Sequence, residues 1–326
     1  MTSHHPANAY SLLADIGGTN TRVALSEGAR LLPQTVRRYR NSEFGGLDDV
    51  LSQFLIAEGG VDCAGVCVAV AGPVHDGSAE MTNLDWKIDT RTVALAARAE
   101  TAAILNDLQA QGYALGHLPP STLRPVVHAP DTPQDATRLV VGVGTGFNCA
   151  PVYNTRTRRH VPPAEAGHIN LPIRTEEDFD LCRFVGDEHG FPATEDVLSG
   201  RGLERVYLWV STRSGTPREK SAEQIMRAME TQDDPVAEET LRIFIRLLGS
   251  VTGNLALLHL PFGGIFLVGG VARAVSAYLE RYSFAQALRD KGRFSGFMEA
   301  FPVSVIEDDY AALTGCAQYL AHILPA

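Results

Sequence analysis

The stretch Ala14-Asp15-Ile16-Gly17-Gly18-Thr19-Asn20-Thr21-Arg22 joins two apolar runs, Ser11–Ile16 and Thr21–Leu25. The runs are typical of β-strands, and the Gly-Gly pair predicts a hairpin turn whose backbone can approach a ligand closely. Successive N–H groups in such a turn can bind phosphate oxygens. Asp15 can hold a hydrated Mg²⁺, because this cation prefers oxygen ligands. The alternative is an ordinary turn with a capping aspartate, but the whole run favours a phosphate site.

Strand and helix signals alternate along the rest of the chain, which favours an α/β architecture. Further strands are predicted at Val66–Val70, Ala102–Leu105, Leu139–Val143, Ile265–Val268 and Pro302–Ile306. Helices are predicted at Gly46–Ala57, Glu177–His189, Ala222–Thr231, Val236–Leu258 and Tyr310–Leu324, with a shorter helical pattern after Asp107. A second hairpin, at Gly142–Val152, again joins two strands through a turn that contains glycine and threonine. Two such hairpins predict a duplicated α/β unit whose copies face each other across a cleft.

Length and charge restrict the class of protein. The 326 residues suggest about two domains at roughly 150 residues each, and a proline-rich passage from Pro119 to Pro133 predicts their boundary. Lys and Arg number 28 against 38 Asp and Glu, and the net charge of −10 argues against a nucleic-acid scaffold or a membrane-surface protein. The stretch Gly253–Gly270 is apolar but contains Asn, His and Pro, which disfavours a membrane span. We therefore expect a soluble, cytoplasmic protein with no nucleic-acid or membrane partner.

The pair Asn106-Asp107 stands where an apolar strand gives way to a helix. A carboxylate at such a junction is commonly just a helix N-cap. As a catalytic group, Asp107 can instead accept the proton of an attacking hydroxyl, which contributes roughly 10²–10⁴-fold to a rate. These two residues alone leave both interpretations open.

Two more glycine-rich turns are candidates for contact with a nucleotide. Gly144-Thr145-Gly146 can hold a terminal phosphate, although its spacing is not that of a dinucleotide site and the chain contains no P-loop motif. Gly269-Gly270 joins a buried strand to a helix and can let a nucleotide's base and sugar lie against the backbone. Both turns are equally compatible with a purely structural role.

A set of polar side chains points to a polyhydroxylated ligand. Glu165-Ala166-Gly167-His168 places a carboxylate and an imidazole in one loop, and Glu195 follows further along the chain. A metal site would need a third ligand at suitable spacing, and none is evident. Hydrogen-bonding groups that converge on a polyol are the better functional interpretation, and separate surface residues are the alternative.

Together these motifs resemble those of the bacterial glucokinases, in the hexokinase-like, actin-type ATPase superfamily. The resemblance spans nearly the whole chain and is carried, in order, by Asp15–Arg22, Ala71-Gly72-Pro73, Thr82-Asn83-Leu84-Asp85-Trp86, Asn106-Asp107, Gly144-Thr145-Gly146, Glu165–His168, Glu195, Leu198-Ser199-Gly200, Gly269-Gly270 and Lys291-Gly292-Arg293-Phe294. It implies a two-domain α/β fold of the actin-like ATPase (ribonuclease H-like) type with a cleft between the domains. Residues 1–117 would form a small domain completed by the C-terminal helix, 309–326, and residues 118–308 a large domain, in a homodimer.

The resemblance also implies an activity: phosphorylation of glucose at its 6-hydroxyl with ATP and Mg²⁺, the first step of glycolysis, with Asp107 as general base. Its sugar ligands would be Asn83, Asn106, Glu165, His168 and Glu195. Its ATP contacts would be Ala14, Asp15, Ile16, Gly17, Gly18, Thr19, Asn20, Gly144, Thr145, Gly146, Gly269 and Gly270. Asp15 would hold Mg²⁺ through water, and closure of the domains on the sugar would exclude water as a competing nucleophile.

The chain departs from the family pattern at three places. Ala166 replaces a glycine, Phe147-Asn148 replaces a Leu-Gly pair, and Asp309-Tyr310 replaces an Asn-Pro-like pair. The alternatives to a glucokinase are a kinase for another hexose, an acyl-phosphate kinase of the same superfamily, and a non-catalytic sugar- or ATP-sensing protein on the same fold. An acyl-phosphate kinase would need cationic side chains for its carboxylate substrate, whereas the predicted set of Asn, Glu and His suits neutral hydroxyls.

Overall fold

The computed structural model of the protein describes residues 9–81, 84–129, 133, 135–155 and 158–324. Asn83, which is predicted as a sugar ligand, lies outside the described residues. The strands are β1 (Tyr10–Ile16), β2 (Asn20–Glu27), β3 (Arg30–Leu31), β4 (Arg37–Arg40), β5 (Cys63–Val70), β6 (Val74–His75), β7 (Ser78–Glu80), β8 (Lys87–Asp89), β9 (Thr101–Asn106), β10 (Leu123–Val127), β11 (Arg138–Val143), β12 (Phe147–Asn154), β13 (Arg159–His160), β14 (Ile265–Val268) and β15 (Val303–Ile306). The α-helices are α1 (Leu47–Ala57), α2 (Thr90–Ala97), α3 (Asp107–Ala114), α4 (Glu176–His189), α5 (Gly200–Arg213), α6 (Ala222–Thr231), α7 (Pro235–His259), α8 (Gly270–Val275), α9 (Phe284–Arg289) and α10 (Ala311–Ile323).

The first sheet is built outward from the predicted hairpin, which is confirmed. Its strand order is β3-β2-β1-β5-β9, and β4 also pairs with β2. β1 is antiparallel to β2 and parallel to β5, which in turn is parallel to β9. The carboxyl ends of parallel strands lie at the same edge of a sheet. Ile16, Val70 and Asn106 are therefore neighbours at that edge, and the residues that follow each of them in the chain start close together.

The second sheet repeats the topology of the first. Its order is β10-β15-β14-β11-β12-β13, in which the antiparallel pair β11-β12 corresponds to β1-β2 and the parallel strands β14 and β15 correspond to β5 and β9. The duplication predicted from the two hairpins is thereby confirmed in the strand order. A small third sheet, β6-β7-β8, follows the loop after β5.

The proline-rich passage contains a strand, β10, that its composition does not predict. β10 lies at the edge of the second sheet, antiparallel to β15, and the register shifts between Pro125 and Val127. Proline has no N–H to donate and is tolerated at a sheet edge or beside a bulge. The passage is thus partly a sheet strand rather than only a connection.

Both faces of the first sheet are covered, which explains why β1 is apolar at successive positions. Side chains alternate along a strand: Leu12, Ala14 and Ile16 pack in the core cluster that contains the buried residues of α1 and α2. Leu13 points to the opposite face and packs with residues of α3 and α10, among them Leu313. Helix α10 is therefore part of the first core although it ends the chain.

The long helix α7 is the centre of the second core. It begins after the N-cap Asp234, with proline at the first helical position. Of the helices in the part of the chain that the structure describes, this one alone is long and apolar enough to cross a membrane, and 72% of its apolar window is buried inside the protein. Its apolar side chains pack in the largest core cluster, against α5, α9 and the second sheet.

The chain forms two compact units. The first comprises the described residues of Met1–Pro119, Thr157–Val161 and Asp308–Ala326, and the second those of Pro120–Arg156 and Pro162–Glu307. The predicted large domain, 118–308, includes residues 158–161, which the structure packs with the first unit. The reason is hydrogen bonding at the end of α3: the Arg159 guanidinium donates to the carbonyl oxygens of Tyr113 (2.9 Å) and Leu115 (2.6 Å).

Candidate functional site

The turn between β1 and β2 is closed by its own backbone and held from the side by Asn41. Gly17 N donates to Asn20 O (3.0 Å), and Asn41 Nδ2 donates to Gly17 O (2.8 Å). Asn41 N donates to Thr19 O (2.9 Å), and its side chain is buried. Gly18 and Thr19 are exposed at the tip. The turn is therefore a braced loop that faces solvent, as phosphate binding requires, and Asn41 is a supporting residue that the motif did not reveal.

Asp15 lies just before the turn, with Arg22 opposite it in the hairpin register. An Arg22 Nη1 atom lies 3.2 Å from Asp15 Oδ2, and the Asp15 side chain is 15% exposed. Burial raises the pKa of Asp15, and the Arg22 guanidinium lowers it by a smaller amount. An opposite charge favours the ionised form of a carboxyl group. A hydrated cation beside Asp15 would therefore offset the increase in its pKa that burial causes.

Asn106 is the N-cap of α3, so Asp107 is not needed for that role. Asn106 Oδ1 accepts from Leu108 N (3.0 Å), its Nδ2 donates to Gly72 O (2.9 Å), and the Gln109 side chain accepts from Asn106 N (3.0 Å). This capping box satisfies the helix start reciprocally. Asp107 is the first helical residue, and its Oδ1 accepts from Leu108 N at 2.9 Å. The simple capping interpretation of Asp107 is therefore wrong.

The pKa of the Asp107 carboxyl group lies near neutral pH. Burial and, to a smaller extent, the negative charge of Asp15 raise this pKa to about 7, although the hydrogen bond from Leu108 N acts in the opposite direction. Two carboxylates held close together at the carboxyl edge of one sheet repel each other, which disfavours ionisation of both. A carboxyl with a pKa near 7 is matched to accepting a proton at physiological pH.

The raised pKa predicts how the stability of the protein depends on pH. The folded-state pKa of Asp107 is about 7, against an ordinary value of 3.8. The folded state therefore binds more protons between these values, and its free energy of unfolding falls as pH rises through this range. Asn at this position does not titrate, so the stability of Asp107→Asn relative to wild type should increase by roughly 1–3 kcal/mol between about pH 5 and pH 8. Urea unfolding of both proteins at the two pH values measures this change. If the difference in their free energies of unfolding were the same at both pH values, the raised pKa of Asp107 would be contradicted.

The second glycine-rich turn, between β11 and β12, is also closed by backbone contacts. Gly144 N donates to Gly146 O (2.9 Å), and Gly144 O accepts from Gly200 N (2.8 Å) at the start of α5. Gly269 lies behind the turn with a φ of 104°, and a Cβ there would overlap the carbonyl of Val143. A side chain at Gly269 is thus excluded both by its conformation and by this contact. The packing brings the turn, the start of α5 and the end of β14 together.

Glu195 packs directly against this turn. Its Oε2 accepts from Phe147 N (2.8 Å), and its own N donates to Gly167 O (2.9 Å). A Cβ at Gly146 would overlap the Glu195 carboxylate, and a Cβ at Gly167 would overlap the carbonyl oxygen of Phe147. Glycine at position 146 therefore leaves room for the Glu195 carboxylate, and glycine at position 167 lets its turn pack against the Phe147 backbone. The carboxylate is therefore held in a defined orientation beside the loop that contains Gly167.

Glu165 and His168 lie at the two ends of a single 3₁₀ turn. His168 N donates to Glu165 O (3.2 Å), and both side chains are exposed. Since Gly167 of the same turn contacts Glu195, the structure brings the three predicted sugar ligands of the second unit together. Their signal in the sequence was only the residue types, and their proximity depends on packing.

Each unit thus contributes one cluster of predicted site residues. The first unit brings together the turn Ala14–Asn20, Asn106 and Asp107. The second brings together Gly144–Gly146, the Glu165–His168 turn, Glu195 and Gly269-Gly270. Within the described ranges no three His, Cys, Asp or Glu side chains group as a metal cluster. A hydrated Mg²⁺ that also binds phosphate oxygens needs only one or two carboxylates, and Asp15 suits that requirement.

The chain was compared with known proteins. Residues 12–323 match the family model described as Glucokinase. The chain is 33% identical over 310 residues to the glucokinase of Mesorhizobium japonicum, which covers 94% of this chain and 90% of the relative. The crystal structure of a glucokinase from an Antarctic psychrotroph superposes with a TM-score of 0.86 at 29% identity, covering 96% of this chain and 98% of that one.

A more distant sugar kinase shares only the fold with this chain. A ROK family glucokinase from Streptomyces griseus, solved in complex with glucose and AMPPNP, superposes with a TM-score of 0.63 at 20% identity, covering 95% of this chain and 98% of that one. Together with the structure of the glucokinase from the Antarctic psychrotroph, this similarity confirms the predicted α/β fold of the actin-like sugar kinases.

Proposed function

The chain belongs to the glucokinase family, and from this membership we propose that it transfers the terminal phosphoryl group of ATP to the 6-hydroxyl of glucose, giving glucose 6-phosphate and ADP in the first step of glycolysis. The observation that carries the proposal is Asp107, whose carboxyl has a pKa of about 7 and stands at the same sheet edge as the Gly17-Gly18 turn. A proton acceptor next to a phosphate-binding turn is the arrangement that phosphorylation of a hydroxyl needs.

Asp107 acts as the general base in this proposal. It accepts the proton of the 6-hydroxyl as the hydroxyl oxygen attacks the terminal phosphorus of ATP, and the bond between that phosphorus and the departing ADP breaks. The transition state of phosphoryl transfer is loose, so the protein mainly positions the partners and neutralises charge. Mg²⁺, held by Asp15 through water, would neutralise part of the phosphate charge. Backbone N–H groups of the turn Ala14–Asn20 would bind phosphate oxygens without adding a charged side chain.

The second unit contributes further phosphate contacts and most of the sugar contacts. Gly144, Thr145 and Gly146 would bind a phosphate, and Gly269-Gly270 would lie against the nucleotide. Glu165, His168 and Glu195, with Asn106 and Asn83, would bind the sugar hydroxyls that do not react. Asn106 Nδ2 donates one of its two hydrogens to Gly72 O, which leaves the other for a hydroxyl.

Glu195→Gln tests the sugar contacts. Glu195 Oε2 accepts from Phe147 N, so a glutamine can keep that bond but loses the charge and one acceptor oxygen. Loss of a hydrogen bond to a buried or charged group costs about 1–3 kcal/mol. We expect the KM for glucose to rise about ten- to a hundred-fold while the KM for ATP changes little, as measured in a coupled assay for ADP.

A matched control is available at the neighbouring position. Asp196 Oδ1 lies 3.5 Å from Arg205 Nη1, and Asp196 Oδ2 accepts a hydrogen bond from Ala193 N (3.1 Å). Asp196→Asn removes a carboxylate one residue away without touching the Phe147 contact, and should leave the KM for glucose within about two-fold of wild type, because a partly exposed ion pair contributes little. An unchanged KM in Glu195→Gln would remove Glu195 from the sugar site.

The activity itself is tested by ADP release with Mg-ATP and a panel of hexoses. Rapid turnover on glucose supports the proposal. Turnover on a different hexose would keep the mechanism and change the substrate. If no hexose is turned over while calorimetry shows that glucose still binds, the enzymatic proposal is overturned in favour of a sensing protein.

We also propose the remaining family properties for this chain: a small domain of residues 1–117 completed by residues 158–161 and 309–326, a large domain formed by the rest of residues 118–308, assembly as a homodimer, and a cytoplasmic location. They rest on the family membership.

A further inference from the structure

The Asn148 side chain forms four hydrogen bonds and is half-buried in the second unit. Its Nδ2 donates to Ala164 O (2.6 Å) and to Glu165 Oε2 (3.3 Å). Its Oδ1 accepts from Cys149 N (2.8 Å) and from Ala166 N (2.9 Å). A primary amide offers two hydrogens and two acceptor lone pairs, so all of its capacity is used. The two backbone N–H groups require the oxygen on their side, and this fixes the orientation of the amide.

Three of these partners are Glu165 and its two neighbours in the chain. Ala164 and Ala166 are held through their backbones, and the Glu165 carboxylate through its Oε2. Glu165 is exposed, and an exposed glutamate ordinarily samples many rotamers that it must give up when it binds a ligand. A side chain that already holds both the backbone and the carboxylate reduces this loss, which is the general advantage of preorganisation.

The contact between Asn148 and Ala166 joins strand β12 to the loop that contains Glu165. Ala166 N donates to Asn148 Oδ1, and the Ala166 methyl group is buried, with the residue 8% exposed. Although Asn148 follows the phosphate-binding turn in the chain, its side chain points to the loop that precedes His168. Its contacts therefore concern the sugar ligands rather than the phosphate turn.

We propose that Asn148 is a positioning residue for sugar binding, which holds the Glu165 carboxylate in an orientation that accepts a hydrogen bond from a sugar hydroxyl. The inference rests on the proposed function, in which Glu165 binds a hydroxyl that does not react. Such a contact is the same in the ground state and in the transition state, so its loss raises KM and leaves kcat unchanged. Asn148 has no contact with the ATP site residues among its four hydrogen bonds, so the KM for ATP is unaffected.

The test compares Asn148→Ala, Asn148→Asp and a control, Asn154→Ala, in the full-length enzyme. Asn148→Ala removes all four bonds, and we expect the KM for glucose and the calorimetric Kd for glucose without ATP to rise about ten-fold. Asn148→Asp keeps the acceptor for both backbone N–H groups but places a second carboxylate beside Glu165. Like charges at this distance repel, so its KM should rise further, to about a hundred-fold. Asn154 lies at the other end of the same strand, where its Nδ2 donates to Ala136 O.

The outcomes separate this inference from the proposed function. A wild-type enzyme that neither binds nor phosphorylates glucose contradicts the function, whatever the variants do. If wild type is active and both Asn148 variants keep its KM for glucose, the positioning role is overturned. It is also overturned if the KM values for glucose and ATP rise together, if Asn154→Ala has the same effect as Asn148→Ala, or if Asn148→Asp binds glucose as well as Asn148→Ala does.

Discussion

Asp107→Asn is expected to lower kcat on glucose by about 10²–10⁴-fold at pH 8, the range in which loss of a general base usually falls. Asparagine has nearly the same shape and can still accept from Leu108 N, the bond that Asp107 Oδ1 makes at 2.9 Å. It cannot take a proton from the 6-hydroxyl. The change therefore removes the proposed proton transfer and leaves the position of helix α3 and the Gly17-Gly18 turn intact.

The same residue should set the pH dependence of the wild-type rate. As the proposed base, Asp107 is active when ionised, and its pKa is about 7 because of burial and the nearby charge of Asp15. The ionised fraction falls as pH decreases through that value, so kcat/KM should fall about ten-fold per pH unit below about 6 and level off above about 8. The residual activity of Asp107→Asn should not show this fall in kcat/KM at low pH.

Asp89→Asn is the matched control for Asp107→Asn. Asp89 is the N-cap of α2 in the same unit, where it accepts from Thr92 N (2.9 Å). Asparagine is an equally good N-cap, so this variant should retain kcat within about two-fold. If Asp107→Asn retained more than about a tenth of the wild-type kcat while Asp89→Asn behaved as expected, Asp107 would not be the base.

Gly315→Ala is expected to have the largest effect on stability. Gly315 lies in α10, and a Cβ there would overlap the carbonyl oxygen of Ala110 and lie only 2.6 Å from its carbon and 3.1 Å from Ala114 N. The obstructing atoms belong to the backbone of α3 and cannot rotate away. Separating two packed helices in this way should lower the free energy of unfolding by about 3 kcal/mol or more. Because α3 begins at Asp107, kcat should fall as well.

The control for Gly315→Ala makes the same substitution in another helix. Gly186 lies inside α4, and a Cβ added there would lie 3.8 Å from its nearest neighbour, Pro192 Cδ. Alanine has the higher helix propensity by about 1 kcal/mol, so Gly186→Ala should stabilise the protein slightly. Urea unfolding of both variants measures the difference. Equal stabilisation by both substitutions would show that α3 and α10 do not pack as closely as described.

Local sequence signals predicted most of the elements that hold the site. The helix α6 begins and ends where its pattern predicts, and α1, α4, α7 and α10 differ from the predicted bounds by one residue at an end or at both ends. Helix α5 was missed because its first turn contains Gly200 and Gly202. Its signals were the N-cap Ser199, whose side chain accepts from Gly202 N, and the apolar spacing of Leu203, Val206 and Val210. The strand β10 was not predicted because it contains Pro125, and proline is unusual inside a strand.

The sequence by itself determined what depends on neighbouring residues. The glycines of the Gly17-Gly18 turn specify a hairpin, and Asn106 with Gln109 three residues later specifies the start of α3, because these hydrogen bonds are made within a few positions of the chain. Each of these features needs only local geometry.

Only the tertiary structure decided the pKa of Asp107 and the orientations of the carboxylates in the second unit. The pKa of Asp107 depends on burial and on Asp15, which is distant in the chain and is brought near by the parallel pairing of β1, β5 and β9. The orientation of Glu195 depends on Phe147 N, and that of Glu165 on Asn148. Solvation and charge act through space, so their effects follow from which segments pack together and not from the order of residues along the chain.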